Sequence, residues 1–145
     1  MLKGIHPLLT ADLLAALRNM GHGDEIAIVD ANFPAASVGR RVIELPGITA
    51  HEVLRAVLTV FPLDTFDSPA AFTMEVVGDA LALPEPVADF AAVFTDFDLG
   101  DAEIGRLERH AFYARARNAF IVVRTGELRA YGNILLVKGV VVERE

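Results

Sequence analysis

The most apolar segments of this chain, near Ile26 to Val29 and Ile134 to Val137, are only strand-sized, and that feature narrows the available folds more than any other. No run approaches the ~18 residues that a membrane-spanning helix needs. Yet 53% of the residues are hydrophobic and the mean hydropathy is +0.41. So much apolar side chain in short pieces must be buried from two sides, in a sheet covered on both faces or in subunit contacts. An oligomer is therefore expected, and no membrane association.

Between the strand-like runs lie segments of helical spacing, which together argue for a layered α/β fold. Thr10 is placed to cap a helix whose apolar stripe is Leu13, Leu14, Leu17 and Met20, with Gly21 as its stop. Glu25 to Val29 then reads as a buried strand ending at Asp30, followed by an Asn32-Phe33-Pro34 loop and a short strand over Arg41 to Leu45. Thr49 and Glu52 have capping-box spacing and open a second helix, which Pro62 ends. Phe72, Met74 and Val76 alternate with polar residues as a strand does, and Pro84 and Pro86 open a third helix. The spacing predicts a fourth helix over Arg106 to Arg117, then strands over Ala119 to Arg124 and Asn133 to Val142. All 145 residues fit one domain.

Composition removes several classes of function. Net charge is −7, and the 13 basic residues are scattered except for Arg106, Arg109, Arg115 and Arg117. Nucleic-acid binding wants a basic face, so it is not expected. Cysteine is absent, which removes disulfides, thiolate nucleophiles and thiolate metal sites. The amino end lacks the basic region and apolar stretch of a signal peptide, so a cytoplasmic protein is expected. There is no phosphate loop, dinucleotide-type glycine fingerprint or nucleophile elbow, and no cofactor is expected. His22 and Asp24 are too isolated for a metal site, which needs two or three ligands at suitable spacing.

What remains is a short list of polar residues at element boundaries. His22 lies between Gly21 and Gly23, where a helix meets a buried strand. Glycines there let a ligand approach, and an imidazole can move a proton near neutrality. A histidine at a helix end can equally serve as a cap. Asp30 sits at the carboxyl end of a buried strand, the edge where open α/β sheets bind ligands. It either accepts hydrogen bonds from ligand hydroxyls or closes an Asx turn into the Asn32 loop. Tyr131-Gly132-Asn133 is either an ordinary loop or a ring-stacking and hydrogen-bonding one. Arg109 and His110 are possible donors at a helix start, or a solvent-facing basic pair. His6 and His51 offer less, since His51 falls in the first turn of a capped helix.

Taken in order, these segments resemble the fucose mutarotase and ribose pyranase family, in its fucose-type branch. The resemblance is carried by Leu2-Lys3-Gly4-Ile5, by Met20-Gly21-His22-Gly23-Asp24-Glu25-Ile26, and by Asp30-Ala31-Asn32-Phe33-Pro34. Ala111-Phe112-Tyr113, Thr125-Gly126-Glu127 and Tyr131-Gly132-Asn133-Ile134-Leu135 continue it to about residue 141, with residues 78 to 105 only loosely similar.

The resemblance implies a three-layer α/β/α sandwich with a mixed, mostly parallel sheet. It makes His22 the proton donor and Asp30 a sugar-binding carboxylate. Tyr131, Gly132 and Asn133 become a loop that contacts sugar across a subunit boundary, in a neighbour's site, and Arg109, or its neighbour His110, a basic sugar contact. Tyr131 or a bound water would serve the anomeric hydroxyl. It further implies a homo-oligomer, commonly a decameric ring, acting on a free monosaccharide such as L-fucose. Mutarotation breaks and remakes a hemiacetal without redox change, so acid–base help of ~10²–10⁴-fold suffices. D-ribose pyranase activity is the alternative within the class. A non-catalytic sugar-binding oligomer, or a purely structural assembly protein, is the alternative outside it.

Overall fold

A computed structural model describes residues 1–143. Its core is a six-stranded sheet in the order β2-β5-β1-β6-β3-β4. The strands are β1 (Glu25–Val29), β2 (Val42–Leu45), β3 (Ala71–Met74), β4 (Ile104–Leu107), β5 (Ile121–Thr125) and β6 (Ile134–Val137). The β1/β5, β2/β5 and β3/β4 pairs are parallel, while β6 runs antiparallel to both its neighbours, β1 and β3. The sheet is thus mixed and mostly parallel.

Both faces are covered because successive strand residues point opposite ways. Ile26, Ile28, Ile121, Val123, Ile134 and Leu136 pack under helices α1 (Ala11–Asn19), α3 (Ala50–Leu58) and α4 (Glu85–Asp96). Ala27, Val29, Val122 and Leu135 pack against α2 (Ala35–Val38) and α5 (Arg109–Asn118). The three-layer arrangement is the one the two-sided apolar strands predict. Each fully buried Val, Leu or Ile contributes roughly 1.5–3 kcal/mol. Among the described residues, no helix is long and apolar enough to cross a membrane.

Local signals act as their chemistry dictates. The Thr10 Oγ1 accepts the Leu13 N–H at 3.3 Å, and Thr49 and Glu52 form the reciprocal capping box. Three expectations change. The helix predicted over Arg106 to Arg117 is two elements, β4 and α5, because Glu108 caps the helix through its own carboxylate, which accepts the His110 and Ala111 N–H groups. β4 is a half-buried edge strand with Gly105 against the Phe72 ring, so it lacks an apolar signature. The last strand stops at Val137, because Gly139 is pressed against the Leu63 backbone and the chain leaves the sheet there. The loop after Asp30 also contains a single helical turn, α2.

Strand direction decides what meets what. β1, β3, β4 and β5 all end at one edge of the sheet, and antiparallel β6 begins there. Asp30, Arg109 and the Tyr131 loop therefore converge. His22, which precedes β1, lies at the opposite edge beside Lys138, whose carbonyl accepts the Gly23 N–H. Five residues of β1 at ~3.3 Å each put about 17 Å of strand between the two.

Candidate active site

Asp30 leaves β1 with its side chain buried. Its backbone N–H donates to Asn133 Oδ1 at 2.9 Å, and its own Oδ1 accepts the Asn32 N–H at 3.0 Å. Burial pushes the carboxyl above its ordinary value, and the nearby Glu127 charge adds to this. The hydrogen bonds from Asn32, Asn133 and Phe33 offset only part of the rise. A desolvated carboxylate of this kind is a strong acceptor for ligand hydroxyls.

Tyr131 stands two residues before Asn133 with φ at 63°, a left-handed conformation that costs a non-glycine residue roughly 1–2 kcal/mol. Its phenolic oxygen accepts the Val77 N–H at 3.0 Å, which leaves the O–H for another partner. Gly132 is buried behind it, and a Cβ there would come within 2.6 Å of Glu127 Cγ. Only glycine fits.

Asp30, Arg109, Tyr131 and Asn133 line one pocket of about 310 Å³. Phe33, Met74, Val77 and Tyr113 supply apolar wall. Of the basic pair, Arg109 lines this pocket, while His110 lies outside it, exposed and edge-on to Tyr113. Tyr113 is a lining residue that helix periodicity alone marks as part of α5's packed face.

His22 belongs elsewhere. Its Nε2 lies 3.1 Å from Oδ1 of Asp64, a buried carboxylate, and its ring is 5.1 Å from that of Phe66. Burial acts to raise the Asp64 carboxyl. The Phe66 amide, the His22 ring and the Asp67 amide outweigh it and hold the group below its ordinary range. The contact ties the His22 ring to the Asp64 carboxylate and leaves Nδ1 pointing away from it. Nothing in the sequence marks Asp64, because it pairs with His22 across 42 positions. Two further hollows flank His22. One, of about 520 Å³, is largely apolar, with Leu17, Val60, Phe61 and Val141 in its walls; the other, of about 450 Å³, carries Glu25, Asp67 and Arg115. The Asp30 pocket differs from both in gathering a buried carboxylate, a guanidinium, a phenol and an amide around one space.

The structure thus brings together Asp30, Arg109, Tyr131, Gly132 and Asn133 and sets His22 apart. Tyr131 is expected to serve a neighbour's site, but it shares the pocket of its own chain's Asp30, because β6 begins at the edge where β1 ends, and His22 lies outside that pocket. His51 is half-buried, 3.6 Å from Asp89. Among the described residues, no group of three or more His, Asp or Glu side chains is arranged to hold a metal ion.

Sheet, layers and pocket define a three-layer α/β protein with a small pocket, lined by polar and apolar side chains, at the carboxyl edge of its strands. The chain belongs to the RbsD / FucU transport protein family, matching it over residues 3–141. It is similar to the fucose mutarotase of Streptococcus pneumoniae, solved with L-fucose, at 38% identity, a TM-score of 0.91 and coverage of 97% of this chain and 100% of that one. FucU from Bifidobacterium longum is 45% identical, with a TM-score of 0.88 and the same coverage. Bacillus subtilis RbsD, solved with D-ribose, shares the fold at 23% identity and a TM-score of 0.73, covering 98% of this chain and 100% of that one.

Proposed function

We propose that this protein is a sugar mutarotase that interconverts the ring forms of free L-fucose. The observation that carries the reading is the Asp30 pocket. Its buried carboxylate, guanidinium and amide face apolar wall, as a 6-deoxyhexose with hydroxyls and one methyl group requires. At about 310 Å³ it lies at the small end of ligand sites. The fucose mutarotase and FucU neighbours support the same reading. D-ribose remains the second substrate to test, since a pyranose–furanose exchange uses the same ring opening.

In the chemistry we assign, Asp30, Arg109 and Asn133 hold hydroxyls. Protonated His22 gives its Nδ1 proton to the ring oxygen while the C1–O bond breaks. The anomeric hydroxyl loses its proton to a water or to the Tyr131 oxygen, and C1 becomes an aldehyde. Rotation about C1–C2 and the reverse steps close the ring on the other face and return both protons. Asp64, paired with Nε2, orients the His22 ring.

Because His22 and Asp30 sit at opposite edges of the sheet, we assign the acid to a neighbouring copy. Exposed Val60, Val140 and Val141 lie beside His22, and exposed Val77 and Leu128 beside the Asp30 pocket. Unlike patches that meet head to tail generate rings when the rotation closes, in keeping with a decameric assembly.

Two-dimensional exchange NMR on L-fucose and on D-ribose tests the function. Faster exchange of fucose anomers, lost in His22→Ala, is expected. Exchange of both sugars at the buffer rate rules the reading out. Sugar binding that survives in His22→Ala, with no exchange to lose in the wild type, points instead to a binding protein.

A further inference from the structure

The loop that carries Tyr131 and Asn133 is built around a carboxylate that the chemistry above does not use. Glu127 has a buried side chain. Its two oxygens accept Arg129 Nε at 3.1 Å and Nη2 at 2.8 Å, a forked pairing, and Oε2 also lies 3.3 Å from the Arg129 N–H. The same guanidinium reaches across to helix α4, to Asp89 at 2.7 Å and to Glu85 at 3.2 Å. Arg129 thus fastens the loop to a helix of the opposite layer, and the planar fork fixes direction as well as distance.

The stem of Glu127 has a second role. Its Cγ occupies the space where a side chain on Gly132 would stand. The segment also grips both neighbours of Asp30. The Glu127 carbonyl accepts the Ala31 N–H at 2.9 Å, and Thr125 Oγ1 donates to the Val29 carbonyl at 2.8 Å while accepting the Glu127 N–H. With Asn133 on the Asp30 amide, Asp30 and Ala31 are tied to this loop and Val29 to the end of β5 from which it springs.

We propose that Glu127 and Arg129 are positioning residues: their forked pair folds the 126–133 loop around the Glu127 stem and so places Tyr131 and Asn133 over Asp30. Neither group touches the pocket that Asp30 lines. The pair acts by holding Tyr131 in its left-handed conformation and by keeping Asn133 in register with the Asp30 amide. Its effect on sugar exchange rests on the proposed mutarotase activity, whereas its effect on the loop does not.

The experiment uses the full chain with Glu127→Gln, Arg129→Gln and Arg129→Lys. The protein has two tyrosines and no tryptophan, so in a Tyr113→Phe background all ultraviolet emission comes from Tyr131. Acrylamide quenching of that emission reads the loop without any sugar. Glu127→Gln and Arg129→Gln are expected to increase quenching and, with Tyr113 present, to raise KM for fucose exchange by on the order of 10–100-fold with a smaller change in kcat. Arg129→Lys, which keeps the charge but loses the fork, should fall between them and the wild type. Unchanged quenching and unchanged KM, with only a lower Tm, would overturn the assignment. If Glu127→Gln does not fold, the two Arg129 variants decide the matter, because the Arg129 side chain is one-third exposed and leaves the Glu127 stem in place. If the wild type exchanges neither sugar, the functional reading fails and quenching alone decides the loop's role.

Discussion

The side-chain oxygen of Asn133 accepts the backbone N–H of Asp30 at 2.9 Å, joining residues 103 positions apart at one edge of the sheet. That bond is possible because β6 runs antiparallel to β1, so the start of one strand meets the end of the other. It satisfies a buried donor and positions a polar residue for a ligand.

Asn133→Ala leaves the Asp30 amide buried and unpaired, at a cost of about 1–3 kcal/mol. We expect a lower Tm together with weaker sugar binding, measured by thermal unfolding with and without fucose. Asn133→Asp restores an acceptor but sets a second carboxylate beside Asp30. Its deficit should shrink as pH falls and one of the two is protonated.

Asp30 itself is held at the expense of stability. Its folded-state pKa is raised, so folding disfavours the ionised form. The penalty is complete above the raised value, shrinks as pH falls through it, and is gone below the ordinary range near pH 3.9, where both states are protonated. Asp30→Asn keeps Oδ1 for the Asn32 amide and removes the charge. At pH 7 its Tm should rise by on the order of 2–4 °C while sugar exchange is lost. A Tm that falls at pH 7 contradicts the desolvation argument.

For Asp64 the sign is reversed. Its folded-state pKa is lowered, so its contribution to stability is complete above its ordinary range near pH 3.9 and is lost as pH falls through the lower folded value. Asp64→Asn should therefore unfold more easily than wild type at pH 7, with the gap closing in acid. Exchange activity should drop on the order of 10²-fold at neutral pH, because the carboxylate that orients the His22 ring is gone. Equal activity in the two proteins would show that His22 works without this partner.

Much of this arrangement is legible in the amino-acid sequence. A strand with four successive apolar residues, Ile26 to Val29, that stops at Asp30 announces a two-sided sheet with a carboxylate at its edge, and Thr49 with Glu52 announces a helix start. The polar edge strand β4 is not legible, since Ile104, Gly105, Arg106 and Leu107 are all half-buried and alternate with no clear pattern. Strand direction is equally hidden. Apolar runs look alike whichever way they point, so the antiparallel course of β6, which carries Tyr131 to Asp30 and away from His22, becomes clear only when the strands are paired. Asp64 is hidden for a related reason, since its meaning lies in His22, which is remote in sequence.

The separation of His22 from Asp30 leads to the most decisive prediction. If one copy supplies the pocket and another the acid, two inactive proteins should rescue one another. His22→Ala keeps an intact Asp30 pocket, and Asp30→Asn keeps an intact His22 with Asp64. Unfolded and refolded together in equal amounts, they assemble at random into head-to-tail contacts. A contact is complete when the pocket comes from the first variant, with probability one half, and the acid from the second, with probability one half. About a quarter of the sites should then be wild type, and about a quarter of the exchange rate should return. Each variant refolded alone should stay inactive, and light scattering should report the same assembly for all three samples. If His22 and Asp30 act within one chain, every site keeps one defect and mixing restores nothing.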